Sequence, residues 1–335
     1  MILDGTRTES IDAAVRTLRA GGIVAMPTET VYGLAADAEN GDAVAAIYAA
    51  KGRPSDHPLI LHVADADAVT AFAQEVPGFA RALMDAFWPG PLTLILPRRA
   101  GVAAAAAAGQ PSVGLRCPAH PVAQALLRAA AAQGIRALAA PSANRFGRIS
   151  PTRAEHVVAD LGDRVLVLDG GPCAVGIEST IVDATRGAPV LLRPGQIDRE
   201  ALAAAAGMPI LDPDEVQAGA TPKASGTLAA HYAPRAPVRL MSARELQTAL
   251  ELLGADAARA GVAVYARSAL PNLATPLARR MPDDAGAAAQ QLFDTLRGFD
   301  DAGARLIWVE LPPDTPAWEG VRDRLRRAAA AATGG

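Results

Sequence analysis

The sequence predicts an α/β protein of two domains, an open mixed sheet with helices followed by a small parallel α/β unit. Three observations predict it. Helices and strands alternate irregularly before residue 207, the pattern dissolves into Pro, Gly, Ala and Thr over 207–237, and a regular strand–helix rhythm follows. The length of 335 residues suits two domains, read as 1–206 and 238–335 with 207–237 as a linker and lid.

The elements follow in order. Residues 8–20 form an amphipathic helix with Ile11, Val15 and Leu18 on one face, stopped by Gly21-Gly22. Ile23 to Met26 is a buried strand ended by Pro27. A helix over 41–50 precedes a strand from Pro58 to Val63, then helices near 65–75 and 77–87. Strands Leu92–Leu96 and Val113–Arg116 lead to a helix over 119–133 and a strand over 137–140. Ser150-Pro151 reads as the N-cap and first turn of a further helix. Strands then dominate at 164–168, 177–183 and 189–193. Beyond the linker, strands at 238–241, 262–265 and 306–311 alternate with helices at 243–253, 285–297 and 317–331, which implies a small parallel sheet. The alanine runs 103–108 and 328–332 read as helical filler.

Composition narrows the function. Alanine supplies 78 of the 335 residues, so Leu, Val, Ile and Ala must fill the core. A net charge of −3 argues against a strongly basic nucleic-acid binder. No apolar run approaches the roughly 20 residues of a membrane span, and no signal peptide is visible, so a cytoplasmic protein is expected. Cys117 and Cys173 stand far apart, outside any zinc-ligand spacing. Lys51 and Lys223 are the only lysines among 32 basic residues. A surviving lysine in so arginine-rich a chain marks a place for a compact ammonium; Lys51 fits that description, while Lys223 reads as incidental.

The P-loop, the dinucleotide fingerprint, H-E-x-x-H and G-x-S-x-G are all missing, and the five histidines lack metal-ligand spacing. Five polar clusters interrupt the apolar pattern instead, each at the end of a strand or the start of a helix, where α/β folds bind ligands. Pro27-Thr28-Glu29-Thr30-Val31-Tyr32-Gly33-Leu34 offers hydroxyls and amides to a small polar ligand, or makes a plain turn. Lys51-Gly52-Arg53-Pro54-Ser55-Asp56-His57-Pro58-Leu59, with His62 beyond it, suits a polyphosphate, or a solvated helix C-terminus. Pro111 to Arg116 ends in an arginine that would hold a carboxylate or close a surface strand. Ala140-Pro141-Ser142-Ala143-Asn144-Arg145 with Ser150-Pro151-Thr152 makes a phosphate-friendly turn. The fifth cluster runs from Gly176 through Glu178-Ser179-Thr180-Ile181-Val182-Asp183 to Arg193-Pro194-Gly195.

Taken together and in this order, these motifs resemble the YrdC-like family, whose members include threonylcarbamoyl-AMP synthases. The resemblance spans residues 8–200. Ser225-Gly226-Thr227-Leu228 and His231-Tyr232-Ala233-Pro234 add a likeness to the long, two-domain form. It implies a YrdC-like open twisted mixed sheet plus a small Rossmann-like parallel α/β C-terminal domain. It also implies a reaction: ATP, L-threonine and bicarbonate or carbon dioxide give threonylcarbamoyl-AMP and pyrophosphate, with Mg2+. The product then passes to a tRNA threonylcarbamoyl transferase complex, with a weak RNA contact left open and no membrane partner.

Carried over residue by residue, Lys51 and Arg53 would be catalytic and neutralise the phosphates, with His57 beside them. Ser112, Ser142, Asn144, Ser150, Arg193 and the linker Tyr232 would line the ATP. Thr30, Tyr32, His62, Arg116, Ala140 and Ser179 would hold threonine, with Arg116 on its carboxylate. No protein metal ligand is implied. His57 departs from the family pattern, which often has Asn before the Pro-Leu pair. Three other readings remain on the sequence alone, one of them a separate activity of the second domain, which lacks any glycine-rich loop or clustered titratable groups and so reads as structural or lid-anchoring. Hydrogenase-maturation carbamoyl-transfer enzymes share the domain but add zinc-binding cysteines, and an RNA-binding module would use the same cleft without turnover.

Overall fold

Short apolar segments broken by Gly and Pro make short strands, and one sheet collects many of them. The computed structural model describes residues 1–216, 222–224, 226, 228, 230–253, 256, 260–268 and 277–331, so Ser225 and Thr227 of the linker motif lie outside the described residues. The chain divides into two compact units, Met1–Phe146 with Ser150–Thr227, and Gly147–Ile149 with Leu228–Gly335.

The first unit runs β1 (Ile2–Asp4), α1 (Thr8–Arg19), β2 (Val24–Met26), β3 (Gly33–Asp37), α2 (Gly41–Lys51), β4 (Ile60–His62), α3 (Gly78–Phe87), β5 (Leu92–Pro97), β6 (Ser112–Arg116) and α4 (Pro121–Ala131). It continues with β7 (Leu138–Ala139), α5 (Ala154–Leu161), β8 (Leu166–Asp169), β9 (Thr180–Asp183), β10 (Val190–Arg193) and α6 (Arg199–Ala206). The strands form one mixed sheet in the order β1-β8-β2-β3-β7-β4-β6-β5-β9-β10. Period-two alternation covers both faces. Val24 and Met26 of β2 and Ala35 of β3 pack with Ile11, Leu18 and Leu126 of α1 and α4, whereas Ala25, Leu34 and Ala36 join the core beneath α2 and α3. Small residues at the sheet positions let the helices approach closely.

The structure revises several expected elements. Residues 33–37 form a strand that begins in the last two residues of the first cluster, where small residues hid it, and β1 and α6 were not anticipated. The α6 signals were nonetheless present: the Asp198 side chain caps Ala201 N–H, and Gly207 takes the left-handed closing position. Residues 67–71 form only a 3-10 turn. The helix expected from Ser150 begins at Ala154, because the Ser150 hydroxyl is taken by the buried Glu178 carboxylate instead of a helix N–H. Within the expected linker, Leu211 pairs with Pro189 and Leu191 beside β10 and so belongs to the first unit.

The second unit contains β11 (Val238–Met241), α7 (Ala243–Leu253), β12 (Val262–Ala266), β13 (Ala278–Arg280), α8 (Ala285–Asp301), β14 (Leu306–Glu310) and α9 (Glu319–Ala330). Its strands are parallel in the order β11-β14-β12-β13, β13 being the addition to the expected elements. Among the described residues no helix is long and apolar enough to cross a membrane.

Candidate active site

The loop after β2 knots itself before it can offer anything outward. Thr28 Oγ1 accepts the N–H groups of Thr30 and Val31, each at 3.2 Å, and lies 2.9 Å from the Thr30 hydroxyl. The buried Tyr32 hydroxyl sits 2.8 Å from the Gly171 carbonyl and 3.1 Å from Asp169, and accepts the Gly170 N–H. Burial pushes its pKa up, so the phenol stays protonated.

Between them, Glu29 reaches Arg116. Its Oε1 accepts from Arg116 Nη2 at 2.7 Å, and its Oε2 accepts the Ala119 N–H at 3.0 Å. Both side chains are buried. The parallel pairing of β4 and β6 puts His62 and Arg116 opposite each other in register. Burial, then the Arg116 charge, pulls the His62 pKa down to about 3, so the imidazole is neutral at physiological pH. A neutral ring and a guanidinium therefore stand side by side, with one carboxylate already on the guanidinium.

A second knot joins the start of β9 to the end of β10. Ser179 Oγ lies 2.7 Å from Thr93 Oγ1, while Arg193 donates to the Ser179 carbonyl at 3.0 Å and to its hydroxyl at 3.1 Å. Residues assigned separately to threonine and to ATP thus form one buried group. Gly195 closes it: a Cβ there would lie 2.5 Å from the Thr180 backbone nitrogen. Gly195→Ala is expected to cost about 1–3 kcal/mol, read as a lowered Tm.

The third group surrounds the end of α2. Gly52 takes the left-handed position at φ 61°, which ends the helix and turns Arg53 back toward it. Lys51 is buried, and its Nζ donates to the carbonyls of Ser142 and Asn144, both at 2.6 Å. Burial, reinforced by Arg53, pulls its pKa down to about 7, against the pull of Asp160 and Glu178. Arg53 donates to the Pro58 carbonyl at 3.1 Å and lies over the Phe146 ring, whose edge His57 also meets. The His57 pKa is lowered by burial and by Arg53. Because β7 runs antiparallel to β4, the chain beyond Ala139 leaves in the direction opposite to His62. The Ser142–Asn144 loop accordingly meets Lys51.

The other expected residues are placed as follows. Ser112 opens β6 and helps line a small pocket with Ile60, Ile95 and Ile181. Ala224 of the expected linker packs on Ile95 and Ile181, and Lys223 donates to Asp56 at 2.8 Å and, through its N–H, to Gln110. Lys223 is therefore a partner of the second cluster, though the pair is exposed and contributes little. Ala140 is buried where its N–H donates to the Ile60 carbonyl. Tyr232 belongs to the second unit, where its ring packs against His231 and Phe293 under the Arg324 guanidinium. The sequence reading did not single out Glu29, Glu178 or Thr93. The first two stand inside quoted motifs, and the third is a lone hydroxyl in an apolar strand.

A family model described as telomere recombination matches residues 16–195, and one described as the C-terminal domain of threonylcarbamoyl-AMP synthase matches residues 197–330. The threonylcarbamoyl-AMP synthase of Bacillus subtilis is 40% identical over 331 residues, covering 97% of this chain and 94% of its own. The chain belongs to the threonylcarbamoyl-AMP synthase family. The threonylcarbamoyl-AMP synthase of Pyrococcus abyssi is 36% identical over 95% of this chain and 93% of its own. The crystal structure of Pyrococcus abyssi Sua5 complexed with L-threonine superposes with a TM-score of 0.87, covering 99% of this chain and 98% of that one at 36% identity. Both units therefore have counterparts in that two-domain fold.

Proposed function

We propose that this chain is a threonylcarbamoyl-AMP synthase, joining L-threonine, bicarbonate or carbon dioxide, and ATP into threonylcarbamoyl-AMP with release of pyrophosphate. The observation that supports the reading is the in-register pair of neutral His62 and Arg116, which suits a carboxylate ligand, within a fold shared with a threonine-complexed relative. Thr30 and Ser179 stand on the threonine side. Lys51, Arg53, Ser142, Asn144, Ser150 and Arg193 serve the nucleotide, with His57 beside the phosphates and Ser112 at the cavity wall.

The chemistry asks little of the protein covalently. The threonine amine adds to carbon dioxide, losing a proton, and gives a carbamate. A carbamate oxygen attacks the α-phosphorus and pyrophosphate leaves with the bonding pair. Positioning and charge neutralisation at Lys51 and Arg53 lower the barrier, which fits a chain without a nucleophile–base motif. Among the described residues no three histidine, cysteine or carboxylate side chains converge on a metal site. In this reading Mg2+ enters with the ATP, on its phosphates. The product is an intermediate for tRNA threonylcarbamoyladenosine, handed in the cytoplasm to a transferase complex. The test is pyrophosphate release from ATP and bicarbonate with and without L-threonine. Release that requires threonine supports the reading, and release indifferent to it contradicts it.

A further inference from the structure

β5 carries one polar side chain in an otherwise apolar strand. Its Leu92, Leu94 and Leu96 pack into the main core, while Thr93 and Ile95 take the opposite face of the sheet. Thr93 is fully buried, and a buried hydroxyl costs stability unless it is hydrogen-bonded. Valine would fill the same space without that cost. Among the described residues the Thr93 hydroxyl has one partner, the Ser179 hydroxyl at 2.7 Å. Packing alone therefore does not account for this threonine, and Ser179 does.

Strand register shows what Thr93 stands beside. β4, β6, β5 and β9 are consecutive neighbours in the sheet. His62 pairs with Arg116, Leu115 with Leu94, and Thr93 with Ile181. Continued by one residue, the antiparallel register of β6 and β5 sets Thr93 opposite Arg116. Paired residues share a face, so His62, Arg116 and Thr93 form one row of polar groups across three strands. On β9 the row reaches Ile181, two residues after Ser179. Thr93 also borders the small pocket lined by Ser112 and Gly114, on the same face.

Ser179 is gripped from two sides. Arg193 donates to its carbonyl and to its hydroxyl, and Thr93 holds the same hydroxyl from the sheet. Two partners on one hydroxyl select a single rotamer, where one partner leaves it freer to turn. We propose that Thr93 is a positioning residue for the threonine half of the site, acting through Ser179. The proposal rests on the synthase reading, which puts Ser179 and Arg116 on the threonine side. Thr93 itself touches no substrate; it fixes the Ser179 hydroxyl beside the His62–Arg116 row.

The test uses the full chain and four variants: Thr93→Val, Thr93→Ser, Ser179→Ala and the double variant Thr93→Val with Ser179→Ala. Threonine affinity by calorimetry, KM for threonine, KM for ATP and Tm are measured for each. The expected result in Thr93→Val is a rise of about three- to tenfold in Kd and KM for threonine, the range of one net hydrogen bond. The KM for ATP stays unchanged, and Thr93→Ser restores the values of the unsubstituted chain. In the Ser179→Ala background, Thr93→Val has no further effect on threonine, because the group it acts through is gone. Thr93→Ala takes the place of Thr93→Val if the valine variant folds poorly. A lowered Tm with threonine parameters unchanged, an equal rise in KM for ATP, or additive effects in the double variant would overturn the assignment. An unsubstituted chain that neither binds threonine nor releases pyrophosphate in response to it contradicts the synthase reading, and the role of Thr93 falls with it.

Discussion

Lys51→Ala is expected to reduce threonine-dependent pyrophosphate release at least about a hundredfold, the usual scale for removing one preorganised charge from a transition state. Two effects converge. The ammonium proposed to neutralise the phosphates disappears, and the carbonyls of Ser142 and Asn144 lose the donor that holds their loop. Lys51→Met separates them from a simple packing loss, since it keeps the stem. The fold should survive, because removing a buried charge offsets part of the lost bonding. The pKa near 7 sets a pH signature. The unfolded chain keeps this proton up to about 10.5, whereas the folded chain releases it near 7. The cost of burying the charge is therefore felt in full below about pH 7 and is relieved as pH rises from 7 toward 10.5. The KM for ATP is correspondingly expected to rise above pH 7, as the ammonium is lost. Steady-state kinetics across pH 6–9 check it.

Glu29→Ala is expected to have the second large effect, mainly on stability. It leaves Arg116 charged and buried without its carboxylate, a break that costs about 3–5 kcal/mol, and it strands the Ala119 N–H as well. Glu29→Gln keeps an acceptor for one of the two donors and should be milder. If the variant remains folded, its defect should appear as a raised KM for threonine with the KM for ATP unchanged, because Arg116 then lacks the group that orients it. Urea unfolding together with paired KM measurements reads both parts.

These expectations show where the sequence was legible. The clusters around Lys51, Ser142 and Ser179 stood out because polar residues broke an apolar pattern, and the scarcity of lysine pointed to Lys51 before any geometry was known. Their partners did not stand out. Glu29 lies 87 residues from Arg116, and Thr93 lies 86 residues from Ser179. Which carboxylate meets which guanidinium depends on strand order in a mixed sheet, and local periodicity carries no trace of that order. The β3 strand was missed for a different reason. Its Gly33, Ala35 and Ala36 are small because helices crowd both faces, so the residues that make close packing work also weaken the strand signal. Ser150 misled as a helix cap because a hydroxyl serves a buried carboxylate as well as a helix N–H.

Mass spectrometry of the nucleotide product formed from ATP, L-threonine and 13C-bicarbonate decides whether the chain makes the mixed anhydride. The expected product is threonylcarbamoyl-AMP heavier by one neutron than that from unlabelled bicarbonate, and none when threonine is omitted. An unlabelled threonyl adenylate, or AMP formed without threonine, would contradict the synthase reading.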